Sequence, residues 1–219
     1  NIFGVESGKL SVGDIDNDGD DDLLIYGDEG GQLYTTKMYL NTGSGNFFLI
    51  PGTPFPNARS GVFIFADFDQ DNDLDIIGSY RNVDSTPTRS ENELFLKNGS
   101  GVFSATPFFD GFETDSRGIA ADFNGDSFLD LFMNFEIYYN DSSAYFNKVN
   151  TQFEINSIDQ LADFNSDSAL DILSNNEVYL NDGNGGFTYD SVLSPQNAFS
   201  STNFCFLKDL NGDTILDYL

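Results

Sequence analysis

Residues 14–22 read Asp-Ile-Asp-Asn-Asp-Gly-Asp-Asp-Asp, and variants of this nonapeptide occur four more times along the chain. Each copy has Asp at positions 1, 5 and 9 and Asp or Asn at position 3. Successive copies begin 41 to 55 residues apart, at residues 14, 67, 122, 163 and 209. Five copies in register indicate a repeat architecture in which every unit carries the same acidic loop, here named loops 1 to 5 in chain order.

The spacing within each loop is typical of a site for a hard cation. Oxygen ligands at positions 1, 3 and 5 of a tight loop point at one centre, and a backbone carbonyl at position 7 and a carboxylate at position 9 complete a shell of six to seven oxygens. Such a shell suits Ca²⁺ better than Mg²⁺. Softer metals are poorly served, because the chain has no His and one cysteine, Cys205.

The sequence therefore predicts up to five bound Ca²⁺ ions, with the position-7 residue acting through its backbone carbonyl. The predicted ligands are Asp14, Asp16, Asp18, Asp20 and Asp22 in loop 1; Asp67, Asp69, Asp71, Asp73 and Asp75 in loop 2; Asp122, Asn124, Asp126, Phe128 and Asp130 in loop 3; Asp163, Asn165, Asp167, Ala169 and Asp171 in loop 4; and Asp209, Asn211, Asp213, Ile215 and Asp217 in loop 5. Loops 1 and 2 have the most Asp, and we expect them to hold their ions most firmly.

The residues after each loop exclude an EF-hand. That motif requires a bidentate Glu at position 12 and flanking helices. Position 12 is instead occupied by Ile25, Gly78, Met133 and Ser174 in the first four loops. The residues directly after position 9 are short apolar runs, which predict strands.

A second motif comes after each of the first four loops: an apolar strand, a turn rich in Gly, Asn, Asp or Ser, and a Phe that begins the next strand. It occupies residues 38–47, 94–103, 137–146 and 178–187. The third turn has no Gly and is expected to be less regular. Each repeat thus reads strand, acidic loop, strand, strand, turn, strand, and four antiparallel strands per roughly 45 residues are typical of a propeller blade.

In these loops and hairpins the chain resembles the FG-GAP/VCBS repeat family, whose calcium-loop blades occur in integrin alpha-subunit propellers and many secreted bacterial proteins. The resemblance covers nearly the whole chain. It implies an all-β fold, a β-propeller with calcium bound in the loop between the first two strands of each blade. The chain departs from the family at position 6, where the usual Gly is present only as Gly19. Ser127, Ser168 and Thr214 adopt left-handed backbone dihedrals less readily than Gly.

The repeat count predicts a single repeat domain over residues 1–219, with four complete four-stranded blades and a partial fifth. Such a chain is a fragment of a larger propeller, or closes as a small one, or has an open end that another molecule fills. The middle connections of repeats one and two, residues 27–37 and 78–93, are expected to be longer loops than those of repeats three and four. The half-blade at residues 203–219 includes apolar strands without the rest of their sheet, which predicts head-to-tail self-association, with the first ten residues of a neighbouring molecule as a candidate donor.

Composition favours a folded protein outside the cell. The net charge is −27, yet 15% of the residues are aromatic, and more than half of the 36 acidic residues lie inside the five loops. This charge argues against nucleic acid and anionic membranes as partners, and no apolar run is long enough for membrane insertion. Cys205 is expected to be a buried thiol. Calcium would then take the place of disulfides in a protein that is secreted or held at the cell surface.

The predicted function is a non-catalytic calcium-binding module for adhesion, surface architecture or matrix and filament assembly, with other proteins or glycans as partners. Without His, neither a Ser-His nor a Cys-His nucleophile system can form. The alternative is a carbohydrate-binding or carbohydrate-cleaving secreted propeller, for which Glu113 and Glu136 lie outside the loops. Two sequons on hairpin turns, at Asn98 and Asn140, predict N-glycosylation sites.

Overall fold

The computed structural model consists of β-strands joined by loops and turns. It describes residues 2, 4–107, 118–133, 135–142, 144–149, 155 and 157–194, together with the backbone of residues 207–208 and 217–218. No helix is present in these residues, and no part of them has the length and apolar character of a membrane-crossing helix.

The strands form four four-stranded sheets and one two-stranded sheet. Sheet 1 comprises β1 (Ser7–Gly13), β2 (Asp22–Asp28), β3 (Tyr34–Asn41) and β4 (Phe47–Leu49). Sheet 2 comprises β5 (Ala58–Ala66), β6 (Asp75–Asn82), β7 (Arg89–Lys97) and β8 (Phe103–Pro107). Sheet 3 comprises β9 (Gly118–Ala121), β10 (Asp130–Met133), β11 (Glu136–Asn140) and β12 (Phe146–Lys148). Sheet 4 comprises β13 (Gln160–Ala162), β14 (Asp171–Ser174), β15 (Glu177–Asn181) and β16 (Phe187–Asp190), and the two-stranded sheet pairs β17 (Leu207–Lys208) with β18 (Asp217–Tyr218).

Each four-stranded sheet is an antiparallel meander, so that strands consecutive in sequence are neighbours in the sheet. Loops 1 to 4 connect the first strand of each sheet to the second, and the Gly/Asn/Ser turns connect the third to the fourth. The predicted repeat unit is therefore confirmed in all four sheets. This order is set by the sequence, because each acidic loop and each turn interrupts apolar residues that can pair only with their immediate neighbours.

Two compact units divide the chain, residues 1–120 and residues 121–219. The first unit contains sheets 1 and 2, which share one aromatic core. In that core the rings of Tyr26 and Phe63 lie 4.8 Å apart edge to face, and Phe55 meets Phe95 at 5.0 Å in the same manner. Tyr26 and Phe95 are among the largest fully buried side chains, so this packing between the two sheets is a main source of hydrophobic stabilisation.

The apolar residue at position 2 of each described loop anchors that loop to the core. These residues are Ile15, Phe68, Phe123 and Phe164, which are 0 to 7% exposed. In the second unit, Phe164 packs with Leu173 and Val178, and Phe123 contacts Phe187 edge to face. Each anchor fixes the start of its loop. It thereby also fixes the backbone that carries the acidic side chains at positions 1 and 3.

The middle connections of sheets 1 and 2 are longer than those of sheets 3 and 4, as the sequence predicts, but they are shorter than the predicted bounds. Strand pairing runs out to Asp28 opposite Tyr34 and to Asn82 opposite Arg89, so only residues 29–33 and 83–88 lie outside strands. The strands extend into the predicted loop bounds because antiparallel pairing joins backbone N–H and C=O groups and does not depend on side-chain polarity.

Candidate metal centres in loops 1 to 4

Loops 1 and 2 each bring three carboxylates to one point. The ligand oxygens of Asp14, Asp16 and Asp18 all lie within 4.8 Å of one another. The equivalent residues of loop 2 meet in the same way. Two oxygens that each lie about 2.3–2.6 Å from one Ca²⁺ are at most about 5 Å apart, so both clusters have the size of a calcium shell.

Loops 3 and 4 carry an amide at position 3 in place of a carboxylate. In loop 3 the side-chain amide of Asn124 donates to a carboxylate oxygen of Asp126 at 2.9 Å. Asn165 and Asp167 repeat this contact in loop 4 at 2.8 Å. The amide thus offsets part of the negative charge within these two loops, whereas loops 1 and 2 place a third carboxylate at the same position.

The position-1 aspartate holds each described loop in a closed conformation. Its two carboxylate oxygens accept backbone N–H bonds of 2.7 to 3.1 Å, one of them always from position 6. In loop 4 these bonds, above all that from Ser168, hold the pKa of Asp163 below its usual value. Each carboxylate oxygen has a second lone pair, so the same group can still bind a cation.

Negative charges repel one another in the loops with three carboxylates. Burial and then the neighbouring Asp18 raise the pKa of Asp16 above its usual value. Burial and then Asp71 raise the pKa of Asp69 in loop 2 in the same way. A divalent cation at the centre of either loop would relieve this repulsion, and the oxygen donors present fit such an ion.

The backbone takes the same path in all four described loops. Positions 4 and 6 have φ between 60° and 93° in each loop, at Asn17 and Gly19, Gln70 and Asn72, Gly125 and Ser127, and Ser166 and Ser168. The third hairpin turn likewise keeps left-handed residues, Ser142 and Ala144, at the places where the first and fourth turns have glycines. The sequence departures at position 6 therefore leave the loop conformation unchanged and place strain on L-residues instead.

We expect Ser168→Gly to stabilise the second unit. A left-handed conformation costs an L-residue about 1–2 kcal/mol, and the greater freedom of unfolded Gly offsets roughly 0.5–1 kcal/mol of this. Urea unfolding should therefore show a net gain of about 0.5–1 kcal/mol. The control is Ser104→Gly in β8, where the residue is exposed and outside the left-handed region, and this change should destabilise the protein. A loss of stability with Ser168→Gly would show that the left-handed backbone of Ser168 is not strained.

The position-9 aspartate is a buried clamp between two distant parts of each repeat. One carboxylate oxygen accepts the backbone N–H of position 2, and the other accepts the N–H of the last residue of the third strand. The bonds are 2.7 to 3.0 Å long. The four clamps are Asp22, Asp75, Asp130 and Asp171, and each is 0% exposed.

Burial raises the pKa of all four clamp carboxyls, and it raises the pKa of Asp75 and Asp130 to about 6. The backbone N–H bonds act in the opposite direction in each case. The spacing of the nonapeptide predicts position 9 only as a cation ligand, and that role stays a prediction. The structure adds a role in the fold that spacing alone could not indicate.

Position 7 differs among the loops. Asp73 in loop 2 is 8% exposed and forms an ion pair with Lys97, the two atoms lying 2.8 Å apart. The other described loops have Asp20, Phe128 and Ala169 at this place. A shared backbone carbonyl, rather than a shared side chain, is therefore the common ligand that position 7 can offer.

Several predicted residues lie outside the described residues. They are Asp209, Asn211, Asp213 and Ile215 of loop 5, Glu113, Cys205, and most of the half-blade at residues 203–219. Of loop 5 only the backbone of Asp217 is described, in β18. The predictions made for these residues remain predictions.

The two sequons differ in accessibility. Asn98 is exposed, and its side-chain oxygen accepts bonds from Ser100 and Val102 within the turn. Asn140 is 1% exposed, and its side-chain nitrogen donates to the carbonyl of Leu129 at 3.2 Å. The buried nitrogen of Asn140 leaves no room for a glycan, so Asn98 is the sequon that a glycosylation enzyme can reach.

Glu136, a candidate residue for a carbohydrate site, is engaged by its neighbours. One carboxylate oxygen accepts the Tyr138 hydroxyl at 2.8 Å, and the other pairs with the Lys148 ammonium. Both contacts lie within sheet 3, which gives Glu136 a structural role between β11 and β12.

Together these features define a class of protein: repeated four-stranded meanders, each with an acidic oxygen-rich loop between its first two strands. Residues 10–78, which include loops 1 and 2, match the model of the FG-GAP-like repeat family. The predicted family resemblance is thereby confirmed for this part of the chain.

No curated protein matches the chain. Among solved structures, the chain is similar to the crystal structure of the biofilm matrix protein Bap1 of V. cholerae, with 16% sequence identity and a TM-score of 0.41. The similarity covers 84% of this chain and 30% of that protein's chain, so this chain spans less than a third of the length of Bap1.

Proposed function

We propose that the chain is a non-catalytic, extracellular calcium-binding module whose sheets are the blades of a β-propeller. The observation that carries this proposal is the loop geometry common to four repeats. In each loop, positions 1, 3 and 5 offer oxygen donors from one tight turn, and in loops 1 and 2 three carboxylates meet within 4.8 Å.

Calcium is the cation that this donor set favours. The ligands are carboxylate, amide and carbonyl oxygens held on flexible loops, which suit the longer and more variable bonds of Ca²⁺. Magnesium requires near-ideal octahedral geometry and keeps several of its waters. Extracellular calcium modules bind in the range of ~10⁻⁴–10⁻³ M, which matches the calcium supply outside cells, and the proposed location is one where such loops would be occupied.

We further propose that the module acts in adhesion, surface architecture or matrix assembly, with other proteins or glycans as partners. The clustered carboxylates lie in the repeated loops that we propose as ion sites, and Glu136 is engaged within its own sheet. A reducing-sugar assay on polysaccharide substrates should remain at background. Turnover of any of them would overturn the non-catalytic part of the proposal.

The calcium part is tested by comparing two single charge removals in loop 1. Asp18→Asn removes a predicted ligand at position 5, whereas Asp21→Asn removes an exposed carboxylate at position 8 that is not one. Calcium titration of ¹⁵N-labelled protein should show that Asp18→Asn weakens binding at loop 1 at least about tenfold, equivalent to about 1.4 kcal/mol. Asp21→Asn should change the Kd by less than about threefold, because a charge outside the shell acts only through solvent-screened Coulomb attraction.

Equal losses of calcium affinity in the two variants would show that cations are attracted non-specifically to an acidic surface. Absence of any calcium-dependent shift in loops 1 to 4 would overturn the calcium proposal as a whole.

A further inference from the structure

Loops 1 and 2 are joined by a polar link that does not involve a cation; it is buried at Asp73 and Lys97 and exposed at Asn17. One carboxylate oxygen of Asp73, at position 7 of loop 2, accepts from the Lys97 ammonium at 2.8 Å and from the Asn17 side-chain amide at 3.1 Å. Asn17 belongs to loop 1 and donates also to the backbone carbonyl of Asn72, at 3.2 Å. The link therefore connects a residue of loop 1 to both the backbone and the side chain of loop 2.

Lys97 occupies a place that holds asparagine in the other three four-stranded sheets. The equivalent residues are Asn41, Asn140 and Asn181, whose side-chain amides donate to the backbone carbonyl of position 8 in their own loop at 3.1 to 3.2 Å. Lys97 keeps the backbone bond to its clamp, Asp75, at 2.9 Å. Its longer side chain instead reaches Asp73, and both residues are 8% exposed, so this departure is specific to the place where loop 2 meets loop 1.

Asn17 lies directly between two predicted ligands. Asp16 and Asp18, on either side of it, are positions 3 and 5 of loop 1. Any movement of these two residues that accompanies ion binding is transmitted to Asn17 through the backbone. At the other end of the link, Asp73 is the residue whose backbone carbonyl is the predicted position-7 ligand of loop 2.

We propose that Asp73, held by Lys97 and Asn17, couples the ion sites of loops 1 and 2, so that occupation of one increases the affinity of the other. This inference rests on the proposed calcium function. An ion in loop 1 fixes Asn17, Asn17 fixes Asp73, and a fixed Asp73 places the position-7 carbonyl of loop 2 before its ion arrives. The ion in loop 1 thus orders part of loop 2 before the second ion binds. Less conformational entropy is then lost when the second ion binds, which gives positive coupling between the sites.

The direction of the coupling distinguishes the effect of the link from the effect of Coulomb repulsion between the two ions. Two divalent cations in neighbouring loops repel each other, so Coulomb interactions alone make each ion weaken the binding of the other. Emptying loop 1 would then tighten binding at loop 2. The link predicts the opposite, a weaker loop 2.

The test monitors each loop separately in the full chain by NMR. The position-6 amides of Gly19 and Asn72 donate to the position-1 carboxylates of their own loops at 2.9 and 3.0 Å, and they report on occupation of loop 1 and loop 2 respectively. Asp18→Asn weakens loop 1 so that loop 2 fills while loop 1 is still largely empty, and we expect the calcium Kd read at Asn72 to rise about fivefold or more, the usual scale of coupling between sites.

The same measurement is repeated with the link cut. Asn17→Gly removes the side chain at a residue with φ of 60°, a conformation that Gly adopts freely. In this background Asp18→Asn should leave the Kd of loop 2 unchanged or lower it. Ser166→Gly makes the same change at position 4 of loop 4, where φ is 66°, and should leave the coupling intact.

The outcomes separate failure of the coupling from failure of the calcium proposal. If neither amide responds to calcium, both proposals fall. If both respond but Asp18→Asn leaves loop 2 unchanged or tighter in the otherwise natural chain, the coupling alone is wrong. A fivefold effect that persists in the Asn17→Gly background also overturns the link, because the coupling then passes through other atoms.

Discussion

Removal of calcium with excess chelator is expected to lower the Tm by on the order of 10–20 °C. An ion present at about ten times its Kd stabilises the folded chain by about 1.4 kcal/mol per site. Four such sites contribute roughly 5–6 kcal/mol, and a chain of this size loses about 2–4 °C of Tm per kcal/mol. In addition, the ion-free protein retains the repulsion of Asp16 and Asp69 by their neighbouring carboxylates.

This result is checked by calorimetry or circular dichroism at fixed ionic strength. Calcium added back in excess should restore the original melting curve, and the same concentration of magnesium should restore far less of it. Identical curves with and without chelator would show that the loops do not draw stability from an ion.

The second large effect is expected from the clamp residue of loop 3. Asp130→Asn keeps the size of the side chain but presents an amide donor to one of two buried N–H donors, those of Phe123 and Asn140. One buried N–H then has no acceptor, and the remaining bond is no longer to a charged group. We expect a loss of roughly 2–3 kcal/mol in the free energy of unfolding.

The calcium dependence of that loss identifies its cause. Because the clamp bonds involve only protein groups, Asp130→Asn should destabilise the protein in chelator as well as in calcium. The control is Asp126→Asn at position 5 of the same loop, an exposed residue whose substitution should lower stability only when calcium is present. If Asp130→Asn does not change the free energy of unfolding in chelator, position 9 serves only as a cation ligand, and its role as a clamp is wrong.

The sequence predicts the repeat unit well, because the information for it is local. Asp at positions 1 and 5 and an apolar residue at position 2 lie within nine residues, and they determine where a loop starts and which side chain enters the core. The strands are equally local, because Ile76 and Leu131, for example, come directly after a clamp aspartate and are fully buried. Spacing along the chain is sufficient for all of these assignments.

Contacts between distant residues could not be predicted in the same way. The clamp Asp22 bonds to Asn41 and Lys97 to Asp73, and Asn17 reaches loop 2, 56 residues away at Asp73. Such bonds depend on strand register and on how neighbouring sheets pack, which no single motif encodes. The burial of Asn140 within a sequon has the same origin, since it results from the position of that residue at the end of β11.

The clamp has a consequence for how repeats of this kind diverge. The position-9 carboxylate of each described loop holds the sheet through its two backbone bonds, while positions 3, 5 and 7 are proposed ion ligands, so a duplicated copy can change those ligands without losing its sheet. Loops 3 and 4 already have Asn at position 3 and Phe128 or Ala169 at position 7, yet Asp130 and Asp171 keep the same two backbone bonds as their counterparts. On the proposed calcium function, selection can therefore tune the ion affinity of each copy separately, and individual repeats can lose their ions while the architecture persists.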